Sequence, residues 1–169
     1  NMLVSQAAAE VGKTAGNGLI AVAVGSEARF LAPEKVARLA DRMVVLDKGS
    51  VAAEGSIFEM TARLDLTAGA HLMPGAVLEA AIRGHDEPHG LTELSFAGEI
   101  LVVPKIARGV GEKVRLRIDA EDVMLALSRP EGVSANNILP ARVAAIRENG
   151  ASADVQLLLK DSRLVARIT

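Results

Sequence analysis

The sequence predicts a mainly β protein: a small barrel in two copies, with a short α/β segment in front. Three observations predict it. From residue 75 onward, apolar and polar residues alternate in short runs parted by turn signals, the pattern of strands with one buried face. Within that zone a block repeats: Leu78-Glu79-Ala80-Ala81-Ile82-Arg83 resembles Arg142-Val143-Ala144-Ala145-Ile146-Arg147. Residues 19–66, by contrast, mix an apolar strand, a helix and a hairpin.

The elements follow in order. Residues 1–18 are small and polar, with Gly12, Gly16 and Gly18, and specify little. Leu19 to Val24 reads as a buried strand ended by Gly25. Pro33 to Arg42 reads as a helix, because proline suits a first turn and Val36, Leu39 and Ala40 share one face. Met43 to Leu46 and Val51 to Glu54 form a hairpin around Asp47-Lys48-Gly49. Ser56-Ile57-Phe58-Glu59 has capping-box spacing, which predicts a helix to about Leu64. A linker covers Thr67 to Pro74.

The β zone begins with a strand at Val77 to Arg83 and a polar hairpin loop from Gly84 to Gly90. Leu91 to Phe96 and Ile100 to Val103 pair around Ala97-Gly98. In Val114 to Ile118 the alternation puts Val114, Leu116 and Ile118 on one side, Arg115 and Arg117 on the other. Asp122 to Leu127 is a further strand, and Arg129 to Asn137 a connector. Val143 to Arg147, Ala153 to Leu159 and Leu164 to Ile168 complete the set. The first copy goes on through Val114–Leu127, whereas the second stops at Thr169. A missing last strand would leave a sheet edge open unless another chain covers it.

Composition narrows function. The chain has 169 residues and a net charge of −2, with half of them apolar, which excludes disorder. There is no Cys, so disulfide scaffolds, thiolate zinc sites and cysteine nucleophiles are excluded; the lack also fits a reducing compartment. No basic excess and only three Phe argue against nucleic acid as a partner. The longest apolar run, Leu19 to Val24, is far below a membrane span, and no signal peptide is expected at the N-terminus.

Two segments carry a family resemblance. Residues 34–49, from Glu34-Lys35-Val36-Ala37-Arg38-Leu39-Ala40-Asp41 to Arg42-Met43-Val44-Val45-Leu46-Asp47-Lys48-Gly49, look like the end of an ABC-transporter ATPase domain. That pattern closes at Val51-Ala52-Ala53-Glu54-Gly55. Ser134-Ala135-Asn136-Asn137-Ile138-Leu139-Pro140 is similar to the S-x-R-N-x-L opening of molybdate-binding Mop domains, a subgroup of TOBE accessory domains. Residues 117–125 resemble the closing strand of that unit. Together, residues 34–169 resemble the C-terminal part of the ATP-binding subunit of a molybdate importer. The implied fold is an OB-like TOBE/Mop β-barrel with an internal repeat over residues 75–169, behind a partial ABC ATPase-like α/β segment at residues 1–66.

The resemblance implies a regulatory or accessory oxyanion-binding domain for molybdate or tungstate. The implied partners are a second copy of the chain, a small oxyanion and, through the parent ATPase, a membrane permease subunit. The implied location is cytoplasmic, peripheral to the inner membrane. No ATP chemistry is expected of this chain. Gly12-Lys13-Thr14 ends like a phosphate-cradling G-x-x-x-x-G-K-[ST], but the earlier glycine falls on Ala7 and no strand precedes it. No LSGGQ-like signature and no apolar run ending in Asp-Glu occurs, and residues 24–29 contain no switch His. The expected reading is a truncated or degenerate subunit with no catalytic residues, cofactor or metal.

A tetrahedral dianion calls for backbone N–H groups, hydroxyls and a cation. The resemblance places it on Ser134, Asn136 and Asn137, with Lys160 and Ser162 as further contacts. Two departures stand out: Asn136 replaces the family Arg, and Asp119-Ala120 aligns with a family K-S pair. Read from residues alone, Ser134 to Asn137 is equally a capped turn, and Lys160-Asp161-Ser162 a hairpin turn. Two other readings stay open: a ligand-free structural TOBE domain of a sugar, polyamine or iron importer, or a free-standing molybdate storage or sensor protein.

Other clusters have plain explanations. His85-Asp86-Glu87-Pro88-His89 holds metal-ligand types, but Pro88, Gly84 and Gly90 predict a solvated hairpin tip. Glu79, Asp119, Glu121 and Asp122 read as an exposed face, with Arg115, Arg117 and Arg129 solvated or paired beside them. Ser128, Ser134 and Ser152 lack a nucleophile elbow.

Overall fold

The computed structural model describes residues 2–4, 20–24, 40–47, 50–66 and 74–169. The first strand, β1 (Met2–Val4), was not foreseen. The α/β segment contains β2 (Ile20–Val24), β3 (Arg42–Asp47) and β4 (Ser50–Ser56) in one sheet, with β2 and β3 parallel and β3 and β4 antiparallel. The predicted helix at 33–39, the turn at 48–49, Gly12-Lys13-Thr14 and most of the linker lie outside the described residues. Arg42, expected to end that helix, instead opens β3.

Ser56 caps α1 (Ile57–Met60) by accepting from the Glu59 N–H at 3.2 Å. The helix stops at Met60, not near Leu64. Thr61 ends it: its hydroxyl donates to the Ile57 carbonyl at 2.8 Å and accepts from the Val77 N–H. That competing bond ties the chain to the next strand instead of extending the helix. Ile57 and Met60 are buried with Met43, Val45, Leu66 and Val77 in a small core.

The β zone has β5 (Gly75–Asp86), β6 (Leu91–Phe96), β7 (Glu99–Pro104) and β8 (Lys113–Asp119), in the antiparallel order β7-β6-β5-β8. A 3-10 turn (Ala120–Asp122) and β9 (Val123–Leu125) replace the single strand expected over 122–127. The connector ends one residue early, because Asn137 opens β10 (Asn137–Leu139). β11 (Arg142–Asn149), β12 (Ser152–Leu159) and β13 (Ser162–Ile168) form the last sheet in chain order. Finally, β1 lies between β10 and β9, antiparallel to both.

A repeat is present in the hydrogen-bond register, but three residues away from the sequence match: Ile82 corresponds to Val143, not to Ile146. Ile82 faces Leu94 and a bulge precedes Gly84; Val143 faces Leu157 and a bulge precedes Ala145. The two units do not build separate cores. Leu78, Leu94 and Leu116 of the first share one buried cluster with Leu139, Leu157 and Leu164 of the second. Strands of three sheets wrap this cluster, an OB-like arrangement that the ladders do not close into one cylinder among the described residues. Among the described residues no helix is long and apolar enough to cross a membrane.

Candidate functional site

The residues singled out for anion binding are carried by the start of the second unit and by its last hairpin. Ser134 and Asn136 lie exposed on the connector ahead of β10. Asn137 is different: it is only 3% exposed. Its Oδ1 accepts from the Val102 N–H at 2.7 Å and its Nδ2 donates to the Val102 carbonyl at 2.9 Å. The side chain thus pairs with the backbone of β7 as another strand would. Its amide is committed to holding β10 against β7. Replacing Asn137 with Leu leaves both Val102 groups unpaired in a half-buried edge, which costs about 2 kcal/mol. Urea unfolding of the variant measures this.

Lys160 and Ser162 lie elsewhere. Lys160 takes a left-handed φ of 50° in the β12–β13 turn. Its ammonium crosses to the β6–β7 turn and fills the space a Cβ on Gly98 would take. Gly98 and Val102 are four residues apart, about 13 Å along a strand. The structure therefore anchors Lys160 and Asn137 at separate points of the same hairpin.

Ser162 opens onto a cleft of about 430 Å³ between α1, β5 and the last hairpin. Glu59, Glu79 and Asp161 line it against one guanidinium, Arg163. Lys113 lies 2.7 Å from Glu79 and offsets part of this charge. The net sign is still acidic, which opposes a dianion.

At the close of the first unit, Arg117 holds Asp119 at 2.7 Å. Beside it, burial pushes the Asp122 carboxyl above its ordinary range, and Asp119 and Glu121 push it further the same way. This corner favours protons or cations, not oxyanions.

Only the second half of the histidine motif forms the expected tip. β5 runs on through Asp86, so His85 sits inside the sheet, half-buried. Its Nε2 is 2.9 Å from the Arg108 carbonyl and its Nδ1 3.0 Å from the Thr92 hydroxyl. A carbonyl only accepts, so the partners assign the proton to Nε2, with Thr92 donating to Nδ1. Both ring nitrogens are occupied in pinning the 105–112 loop. Only Glu87 to Gly90 form the exposed turn, where the Lys105 hydrogen bond holds Glu87 below its ordinary range.

Two buried charges were missed. Asp154 is fully buried on β12; Arg167 donates to it from Nε at 2.8 Å and Nη2 at 3.0 Å, and Asn149 donates at 2.7 Å. This pairing raises the Arg167 pKa. A signal existed, since the predicted strands put an Arg beside Asp154 on both neighbours: Arg147 on β11 and Arg167 on β13. Arg115 does not lie solvated among the nearby acids. It is 7% exposed, donates to the Ala40 carbonyl at 3.0 Å and to Asp41 at 2.5 Å, and lies 5.3 Å from the centre of the Phe58 ring. It joins β8 to the residues just ahead of β3.

Comparison with known proteins adds the family. The TOBE domain description matches residues 133–169. The chain is 42% identical over 139 residues to Molybdenum import ATP-binding protein ModC 1 of Azotobacter vinelandii, covering 81% of this chain and 38% of that protein. It is 43% identical over 137 residues to the ModC protein of Albidiferax ferrireducens, covering 80% and 37%. The Yersinia pseudotuberculosis ModC protein is 36% identical over 137 residues, covering 80% and 38%. The chain thus spans little more than a third of the length of these relatives. It carries a TOBE domain on a mainly β fold and matches the C-terminal part of the ATP-binding proteins of molybdenum importers.

Proposed function

We propose that this chain is the regulatory, oxyanion-binding part of the ATP-binding subunit of a molybdate importer. The observation that carries the reading is the 42% identity to a molybdenum import ATP-binding protein across four-fifths of the chain. In this reading residues 1–66 are the tail of an ATPase domain and residues 75–169 the TOBE/Mop domain. The segment itself performs no ATP hydrolysis. It works in the cytoplasm, at the inner membrane, through a permease subunit, and it pairs with a second copy of itself.

The mechanism is linkage. Molybdate or tungstate held by Ser134, Asn136 and cations near the last hairpin would tie two TOBE/Mop domains together. Such an anion regulates transport only by binding one subunit arrangement better than the other. Asn136 can donate N–H bonds without charge assistance, which about halves the strength of each bond relative to Arg.

Restoring that charge tests the site. Asn136→Arg is expected to tighten molybdate binding by about tenfold, the worth of one charge-assisted bond. Ser134→Ala is expected to weaken it. Molybdate binding that responds to neither substitution refutes the assignment to this segment. One observation favours a second reading, a ligand-free structural TOBE domain: the Asn137 amide is already spent on Val102. On that reading neither variant changes anything, and the dimer persists without anion.

A further inference from the structure

The two repeat units differ in what fills the place of the fourth strand. Their ladders and bulges match when Ile82 is set on Val143 and Leu94 on Leu157. Counting back along each chain then sets Leu78 on Leu139 and Ala76 on Asn137. In the first unit those residues pair with β8: Ala76 with Ile118, Leu78 with Leu116. In the second unit they pair with β1: Asn137 with Val4, Leu139 with Met2. Both partners run antiparallel. So β1 stands where β8 stands, inside a slot whose other wall is β9.

The substitution is partial. The β8 ladder runs from Gly75 to Ala81, equivalent to residues 136–142, while β1 reaches only residues 137–139. The exposed remainder shows the difference. Ile82 is 2% exposed, and its N–H and carbonyl bond Glu112 and Gly111 just ahead of β8. Its counterpart Val143 is 51% exposed. Pro140 does not block a longer strand. Ile82 turns its N–H toward the fourth strand, so by alternation Ala80 and Leu78 do too, and Glu79, the counterpart of Pro140, turns away.

We propose that the β9–β10 slot, continued along residues 141–143, is a strand-acceptor site for an extended segment of the β8 pattern, with apolar residues at alternate positions. Residues 2–4 occupy its inner half as a displaceable strap. Backbone hydrogen bonds supply the hold and alternate apolar side chains the selection, the logic of strand addition to a sheet edge. The first unit is the template: this chain already closes the same ladder with Lys113–Asp119.

The test uses the whole chain, a variant lacking residues 1–5, the variant Leu3→Pro, and a synthetic peptide of residues 113–119 with a scrambled control. Amide hydrogen exchange is the readout. In the whole chain the amides of Asn137 and Leu139 exchange slowly; both variants release them while leaving β5–β8 protected. The peptide then restores them and adds protection at Ala141 and Val143. It binds the shortened chain about tenfold more tightly than the whole chain, because its competitor is gone. Unchanged exchange at Asn137 and Leu139 in both variants overturns the strap. Equal binding of the scrambled peptide, or no binding, overturns the acceptor site. A shortened chain that self-associates and protects the slot without peptide assigns the slot to a second copy and overturns it as well. None of these readouts depends on molybdate.

Discussion

Asp154→Ala is expected to destabilise this chain by about 3–5 kcal/mol, because it removes the buried partner of a charge pair. Asp154 accepts three hydrogen bonds at a fully buried position, two from Arg167 and one from Asn149. Once it is gone, the ion pair left to Arg167 among the described residues is Glu121 at 3.7 Å, which is largely exposed and contributes little. A domain of this size has about 5–15 kcal/mol of stability, so the loss is a large fraction of the whole. The double variant Asp154→Leu with Arg167→Met separates cause from accident. Replacing the pair with apolar groups removes the stranded charge, so the double variant should be more stable than the single one. A single variant within 1 kcal/mol of the parent, by urea unfolding, contradicts the role given to this pair.

Arg115→Ala ranks second, at about 3 kcal/mol, since it leaves a partly buried carboxylate and a carbonyl without their donor. The guanidinium reaches from β8 to Ala40 and Asp41, with Phe58 beneath it. The fit is imperfect: among the described residues its Nε has no hydrogen-bond partner. That unpaired N–H lowers the net worth of the arginine but does not free Asp41. Arg115→Lys should recover little, because an ammonium cannot reach two acceptors as a planar fork does. Hydrogen exchange should locate the damage in β3 and β4 more than in β6 and β7. A lysine variant as stable as the parent, or loosening confined to the β8 end, contradicts this account.

The sheet was legible because alternation is a local signal. Leu91–Phe96 is a strand as read, and Val114, Leu116 and Ile118 share the buried face. The errors lie where a distant partner decides. The helix after Ser56 is short because Thr61 bonds the backbone of Val77, sixteen residues on. His85 looked like part of a loop because Gly84 and Pro88 flank it, yet Thr92 and Arg108 hold it inside the sheet. Nor could local pattern show that Met2–Val4 joins β9 and β10, more than a hundred residues away. For the candidate site, the Ser134–Asn137 segment was visible as a motif. That Asn137 turns its amide to Val102, and that Ser162 borders an acidic cleft, depends on tertiary contacts alone.

Isothermal titration of the whole chain with molybdate, with sulfate as control and the mass in solution measured on the same sample, is the decisive experiment for the proposed oxyanion binding. Saturable molybdate binding to a dimer, and none of sulfate, is the expected result. A folded dimer that takes up neither anion contradicts it and leaves a structural interface in its place.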